Sequence, residues 1–183
     1  MVELPSGFEL LEGERPYWHG RMSWKANIGY LIWAVLLFLI GAATVRVGIG
    51  VLLIFIAVIL LVIAALRVKS SEYLVTSHRV FAKYGLVSRR VFEIKNEWIT
   101  GAIVKQGYLA RALNYGDVIL STPGQYAGSV VLLGVSDPMH VRTIVEDALK
   151  KYKEYKEVEQ ELKEIEKEYE LGRIDKAKYE ELK

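Results

Sequence analysis

Residues 26–66 read ANIGYLIWAVLLFLIGAATV, then Arg46, then VGIGVLLIFIAVILLVIAAL. Neither half carries a charged side chain, and at 1.5 Å of helical rise per residue each reaches roughly 30 Å, the thickness of a bilayer's hydrocarbon core. In the second half 15 of 20 residues are Leu, Ile, Val or Phe, so its insertion is favoured by roughly 4.5 to 9 kcal/mol at about 0.3 to 0.6 kcal/mol per residue. Arg46 would cost about 2.5 to 3.5 kcal/mol at the bilayer centre, but it falls between the halves beside Gly48 and Gly50 and reads as the tip of a tight turn. The stretch therefore predicts a transmembrane hairpin of two helices, 26–45 and 47–66. A signal peptide is disfavoured, because the apolar run is too long and lies behind 25 mostly polar residues.

Working outward, the flanks give an orientation. Arg15, Arg21 and Lys25 precede the hairpin, Arg67 and Lys69 follow it, and the turn offers Arg46 alone. The positive-inside rule then places both termini in the cytoplasm of a two-span protein of the cell membrane, with residues 1–25 as a cytoplasmic N-terminal segment. Trp18, Trp24, Tyr30 and Trp33 cluster around the start of the first span, where amphipathic rings settle at headgroup level. Tyr17 and Trp18 also suit packing against the domain that follows.

Beyond Ser70 the pattern changes to short runs rich in β-branched and aromatic residues. Residues 71–76, 79–84, 89–94, 99–106, 117–121 and 129–133 read as strands, punctuated by Gly85, Gly107, Gly116, Pro123-Gly124 and Gly128. Connections this short imply antiparallel pairing. Asp137-Pro138 then starts a helix on which Val141, Ile144, Val145, Ala148, Leu149 and Tyr152 recur at helical spacing. The expected fold is α+β: the hairpin, a domain over 70–152 built as an antiparallel sheet or barrel capped by a helix, and a charged helical tail over 153–183.

The runs EYLVTSHRV at 72–80, YGLVSRRVFEI at 84–94 and LNYGDV at 113–118 resemble the bacterial pleckstrin-homology-like (bPH2) domain of the YdbS/YdbT-type membrane proteins. The Leu-Glu-Gly-Glu stretch at 11–14 and the two preceding spans fit the same resemblance. It implies a PH-like barrel capped by a helix and a role in membrane-associated binding or assembly. The phosphoinositide binding of eukaryotic PH domains is not implied, since no dense lysine and arginine loop matches a headgroup signature.

In the tail, Gly172-Arg173-Ile174-Asp175 followed by Tyr179, Leu182 and Lys183 resembles the short SHOCT helical motif, which implies oligomerisation; Lys178 stands where that motif usually has glutamate. Independently, Tyr155, Val158, Leu162, Ile165 and Tyr169 repeat at gaps of three and four, a narrow coiled-coil seam. Leu162, Ile165, Tyr169, Ile174, Tyr179 and Leu182 are the candidate assembly residues.

Charge and motif content narrow the function. Residues 67–150 carry 11 basic and 7 acidic side chains and 151–183 carry 9 and 11, too weak a polarity for a nucleic-acid binder. The chain has no cysteine, so thiolate chemistry and disulfides are absent. His19, His78 and His140 lie in separate elements, and no H-E-x-x-H, nucleophile elbow or phosphate loop occurs. No catalytic group, cofactor or metal is expected. Lys83, Arg89, Arg90, Lys105 and Arg111 are candidates to face anionic headgroups, each worth about 1 kcal/mol near such a surface, though the same charges suit solvated strand faces. The expected partners are the lipid bilayer and either further copies of the chain or another membrane protein. The primary reading is a membrane-anchored binding and assembly module; the alternative is an accessory subunit that contacts a membrane enzyme or transporter through the hairpin.

Overall fold

The computed structural model describes residues 8, 10–85, 90–123, 130–173, 175 and 178–180. Arg89, Ile174 and Leu182, among the expected site residues, lie outside the described residues.

The apolar stretch forms an antiparallel helical hairpin. Strand β1 (Pro16–Arg21) leads through a 3-10 turn (Trp24–Asn27) into α1 (Ile28–Thr44), and a second 3-10 turn at Val45–Val47 leads into α2 (Ile49–Ser70). Gly48 makes the reversal at φ +84°, a left-handed conformation costly to any residue with a Cβ. Both helices are long and apolar enough to cross a membrane, and 17% of either apolar window is buried within the chain. What they bury is small. Ala34 and Gly41 on α1, and Gly50, Ala57 and Ala64 on α2, are buried at seven-residue intervals. A Cβ on Gly50 would sit 2.1 Å from the Gly41 carbonyl oxygen, and one on Gly41 would sit 2.9 Å from that of Gly50. The backbones thus meet through a seam of small residues, the arrangement that lets apolar helices gain dispersion contact without a hydrophobic driving force.

The domain consists of two antiparallel sheets. The first has the order β1-β2-β3-β4, with β2 (Glu72–Thr76), β3 (Arg79–Tyr84) and β4 (Arg90–Lys95). The second is β5-β6-β7, with β5 (Gly101–Lys105), β6 (Tyr115–Ser121) and β7 (Val131–Ser136), and a short helix α3 (Tyr108–Ala112) joins β5 to β6. The sheets do not close into the barrel the resemblance implied: among the described residues each ends in its own edge strands, and β4 passes to β5 through a 3-10 turn at Asn96–Trp98 rather than through a shared ladder. β1 also departs from expectation, since the segment before the hairpin supplies an edge strand paired from Arg21↔Glu72 to Pro16↔Thr76.

Between the sheets lies one core. Tyr73, Val75, Val80, Ala82 and Ile94 meet Ala102, Val118, Leu120, Leu132 and Val135, and Val141, Val145, Ala148 and Leu149 of α4 (Pro138–Glu170) close it. Tyr17 and Trp18 pack against this cluster. Asp137 caps α4, its carboxylate accepting from the His140 N–H, with Pro138 in the first turn. The buried stripe ends at Leu149, yet α4 runs on as one 33-residue helix of about 50 Å.

β2 is buried on both faces. On the face away from the core, Leu74 and Phe81 are covered in part by the N-terminal strap: Phe8 meets Phe81 edge-on at 5.3 Å between ring centres. The strap is pinned by Glu14, whose carboxylate takes three hydrogen bonds from the Arg79 guanidinium, one from the Thr76 hydroxyl and one from the Leu11 N–H.

Candidate functional site

The register of the first sheet gives the domain two poles. α2 ends at Ser70 and β2 begins at Glu72, so the row Arg21, Glu72, Lys83 lies at the hairpin end and Arg79 and Lys95 lie at the far end.

At the hairpin pole the mounting is rigid. Met22 N–H donates to Ser71 O at 3.4 Å and Ser23 N–H to Gly134 O at 2.8 Å, so the strand before the hairpin, the residue after it and β7 are bonded together. A Cβ on Gly134 would lie 2.5 Å from Ala26 Cβ, which shows how closely β7 approaches the 3-10 turn leading into α1. Lys25 Nζ donates to Leu113 O at 3.0 Å, fastening the end of α3 to the same turn. Arg67 donates to the Tyr30 hydroxyl at 2.9 Å and lies over its ring at 5.3 Å, clamping the domain-side ends of the two helices. Beside this clamp a groove of about 290 Å³ is lined by Ala26, Gly29, Tyr30, Trp33 and Leu60.

The basic residues singled out from sequence divide. Lys83 bonds Glu72 at 3.3 Å, Glu72 also holds Arg21 at 2.8 Å, and Lys83 lies 5.7 Å from the Phe8 ring centre, so its charge is largely absorbed within the sheet. Arg90 is exposed at the start of β4, opposite Tyr84. Lys105, at the end of β5 opposite Asp117, and Arg111, in the last turn of α3, are exposed on either side of the Tyr108-Leu109 tip. They flank one loop; Lys83 and Arg90 belong to the other sheet.

The far pole holds a cleft of about 400 Å³ lined by Glu12, Arg15, Tyr17, Ser77, His78, Lys151, Tyr152 and Tyr155, among others. It is made where the strap, the β2–β3 turn and α4 converge. Lys151 sits 5.2 Å over the Tyr17 ring, and His78 meets Tyr152 and Tyr155 edge-on at 6.0 and 6.4 Å. Burial, with the nearby Glu97 charge, raises the Tyr152 pKa, which keeps the phenol neutral. Ser77 Oγ lies 2.8 Å from His78 Nδ1, but it also accepts the Arg15 N–H at 3.1 Å, which makes it a fastener of the strap. An activated serine would need its histidine held by a carboxylate on the other ring nitrogen; the contacts described for the His78 ring are Ser77 and the two tyrosine edges. Among the described residues no group of three His, Asp or Glu side chains is placed to hold a metal.

The Glu14–Arg79 pair is a connection that sequence reasoning missed. Burial alone would raise the Glu14 pKa, but hydrogen bonds from Arg79, Thr76 and Leu11 outweigh it and hold the carboxyl below its ordinary value. Arg79, bonded to Glu14 and then to Glu93, stays charged. Its sequence signal was faint: an arginine opening a strand after a Thr-Ser-His turn, and a Leu-Glu-Gly-Glu stretch before the first strand.

In the tail, Leu162 and Ile165 are half-buried on α4, and Tyr169 stacks on Tyr179 at 4.6 Å with 22° between ring planes, after the chain turns at Gly172.

Two antiparallel sheets around one core, closed by a C-terminal helix and carried on an apolar hairpin, define a PH-like module. The sequence model of the bacterial PH domain family matches residues 34–149, and the chain belongs to that family. The match starts within α1 and ends at Leu149, the last buried residue of α4, so β1 and the tail lie outside it. A search of curated proteins finds no match, and neither does a search of solved structures.

Proposed function

We propose that the protein is a membrane-anchored, non-enzymatic PH-like module that presents its domain at the cytoplasmic face of the cell membrane for binding and assembly. The observation that carries this reading is the mounting: one residue separates α2 from β2, and Met22, Ser23 and Lys25 bond the domain to the base of the hairpin. A flexible tether would serve to keep a domain near a bilayer; a rigid one also fixes which face meets the membrane and which projects from it. α4 passes the far-pole cleft and continues past it, so the tail extends on the side away from the hairpin, where it can reach copies of the chain or a partner. The Ser77 hydroxyl, which accepts the Arg15 N–H, serves as a fastener of the strap.

The chain has no cysteine, which makes the test simple. Single cysteines at Ile49, beside the hairpin turn, and at Glu170, at the end of α4, are treated with a membrane-impermeant thiol reagent on intact cells. Labelling at Ile49 alone is the expected result; labelling at Glu170 from outside would overturn the cytoplasmic orientation.

The accessory-subunit alternative is favoured by one feature, the groove of Ala26, Gly29, Tyr30, Trp33 and Leu60, which offers a neighbouring transmembrane helix a recess. Under that reading partner binding survives deletion of 153–183, whereas self-association through the tail does not.

A further inference from the structure

Tyr108 is 99% exposed and Leu109 is 67% exposed, side by side at the start of α3. A fully exposed tyrosine next to a largely exposed leucine is an unusual surface for a small domain, and its position gives it a purpose. The end of α3 is fastened by the Lys25–Leu113 bond to the 3-10 turn that runs without interruption into α1. Trp24, half-exposed in that same turn, already belongs to the apolar span that leads into the first helix. The first turn of α4 lies at the same end, through the bond from Asp137 N–H to Asn114 O, and leaves Met139 exposed. The helix that carries the tip, the turn that carries Trp24 and the base of the hairpin are thus fastened together at one end of the domain.

We propose that the α3 tip is an interfacial anchor: Tyr108 and Leu109 insert among the headgroups and upper acyl chains of the bilayer that the hairpin crosses, setting the tilt of the domain on the membrane. This rests on the hairpin being transmembrane. The charges fit a lipid surface. Lys25, Lys105 and Arg111 lie about the tip and are exposed; of the two acids at this end, Asp117 is engaged by the Gly134 N–H at 2.7 Å and Asp137 by the His140 N–H that it caps at 3.4 Å. Tyrosine at such a tip places its ring at the depth where an apolar body and a polar hydroxyl are both satisfied, and the basic residues lie where anionic headgroups concentrate.

The full chain is reconstituted in phospholipid vesicles with a spin label at one of three introduced cysteines: Leu109→Cys at the tip, Phe38→Cys on the exposed face of α1, and Val158→Cys on the exposed tail. Depth is read from collision with oxygen, which partitions into lipid, against collision with a water-soluble nickel chelate. The expected pattern is a Phe38 site deep in hydrocarbon, a Val158 site in water, and a Leu109 site at intermediate depth with nickel collisions several-fold fewer than at Val158. A deep Phe38 site with Leu109 as accessible to nickel as Val158 overturns the anchor and leaves the transmembrane hairpin standing. A water-accessible Phe38 site overturns the hairpin reading and the anchor with it. A Leu109 site that is immobilised and shielded from both reagents would show a protein partner covering the tip, which also overturns the proposal.

Discussion

Arg79 closes its guanidinium on the carboxylate of Glu14, 65 residues earlier in the chain, with Nη2 2.9 Å from Oε2 and Nε 3.1 and 3.2 Å from the two oxygens. The Glu14 side chain is wholly buried and the Arg79 side chain is 14% exposed. Arg79 also reaches Glu93 on β4 at 2.7 Å, so a single cation joins the strap, β3 and β4. The consequence is architectural: the strap crosses the outer face of the first sheet, and residues before the hairpin and after it fold as one unit.

Removing Glu14 should therefore cost far more than removing Glu93. Breaking a buried pair leaves an uncompensated charge, typically at about 3 to 5 kcal/mol, and Glu93, which stays with Arg79, reduces that. Glu14→Ala is expected to lower stability by roughly 2 to 3 kcal/mol, whereas Glu93→Ala, on a 41% exposed partner, should stay within about 1 kcal/mol. Urea unfolding of the full chain in detergent micelles, followed by its strand circular dichroism, separates the two. Equal losses would mean the strap contributes little.

The same groups set a pH window. Glu14 is held below its ordinary value when folded, so its contribution is present above the unfolded carboxyl pKa and is lost as pH falls through the folded one. Tyr84 moves the other way: burial pushes its pKa from 10.0 to about 12, and its hydroxyl, which donates to Val131 O, is held in the neutral form. Its contribution is present below pH 10 and is lost as pH rises towards 12. Tyr84→Phe should lower neutral-pH stability by about 1 kcal/mol through the lost hydrogen bond, yet flatten the alkaline fall. Parallel pH profiles for the variant and the parent would show that Tyr84 does not govern that limb.

What the sequence revealed and what it hid follow from distance along the chain. The hairpin and α4 were legible because their signals are local: unbroken apolar runs, an Asp-Pro start and a 3.6-residue stripe. β1 was not, since Pro16, Gly20 and a run of half-buried residues give no alternation, and its pairing partner lies beyond the hairpin. Strand content cannot announce closure, so two sheets and a barrel read alike until the Asn96–Trp98 turn is seen to separate them. Lys83 looked like a headgroup ligand because its neutralising partner, Glu72, becomes a neighbour only through strand register. The Tyr108-Leu109 tip falls between the expected strands 99–106 and 117–121 with no motif of its own, and its exposure and the Lys25 bond set it apart.

The hairpin seam makes a sharper prediction. Gly50→Val places a Cβ within 2.1 Å of Gly41 O and 2.4 Å of Val45 N, both backbone atoms that no rotamer change can move. The helices must splay, at about 1 to 3 kcal/mol for overpacking. Gly29→Ala, whose Cβ meets nothing within 4 Å, is the matched control on the same hairpin. Thermal unfolding in detergent should drop for the first and hold for the second; an unchanged Gly50→Val would show that the helices do not pack through this seam.

The tail raises a different question, because α4 outlasts its support. Its last described ring contact with the domain is Tyr155 against His78, and beyond it Glu159, partly exposed, is bonded to Lys156 at 2.9 Å and Lys163 at 2.6 Å. These pairs keep Glu159 charged, with its pKa lowered to about 2, but exposed pairs add little to stability. The helix persists because its first turns, up to Leu149, are nucleated by the core, and extending a formed helix is easier than starting one. Its apolar seam remains poorly covered: Tyr155 and Val158 are exposed, Leu162 and Ile165 are half-buried, and the cover observed at the end is Tyr179 folded back on Tyr169. Gly172 permits that reversal at φ +67°, and Asp175 Oδ1 caps the returning turn by accepting the Lys178 N–H at 2.9 Å. A seam with rings at one end and open leucine and isoleucine in the middle fits pairing with a second tail. Leu162→Ser with Ile165→Ser should convert a detergent-solubilised oligomer to a smaller species by light scattering, with the strand circular dichroism unchanged. Tyr179→Ala, which removes the terminal stack on Tyr169, should leave the mass as it was. A double-serine variant of unchanged mass would make α4 a charged extension and move assembly to the hairpin.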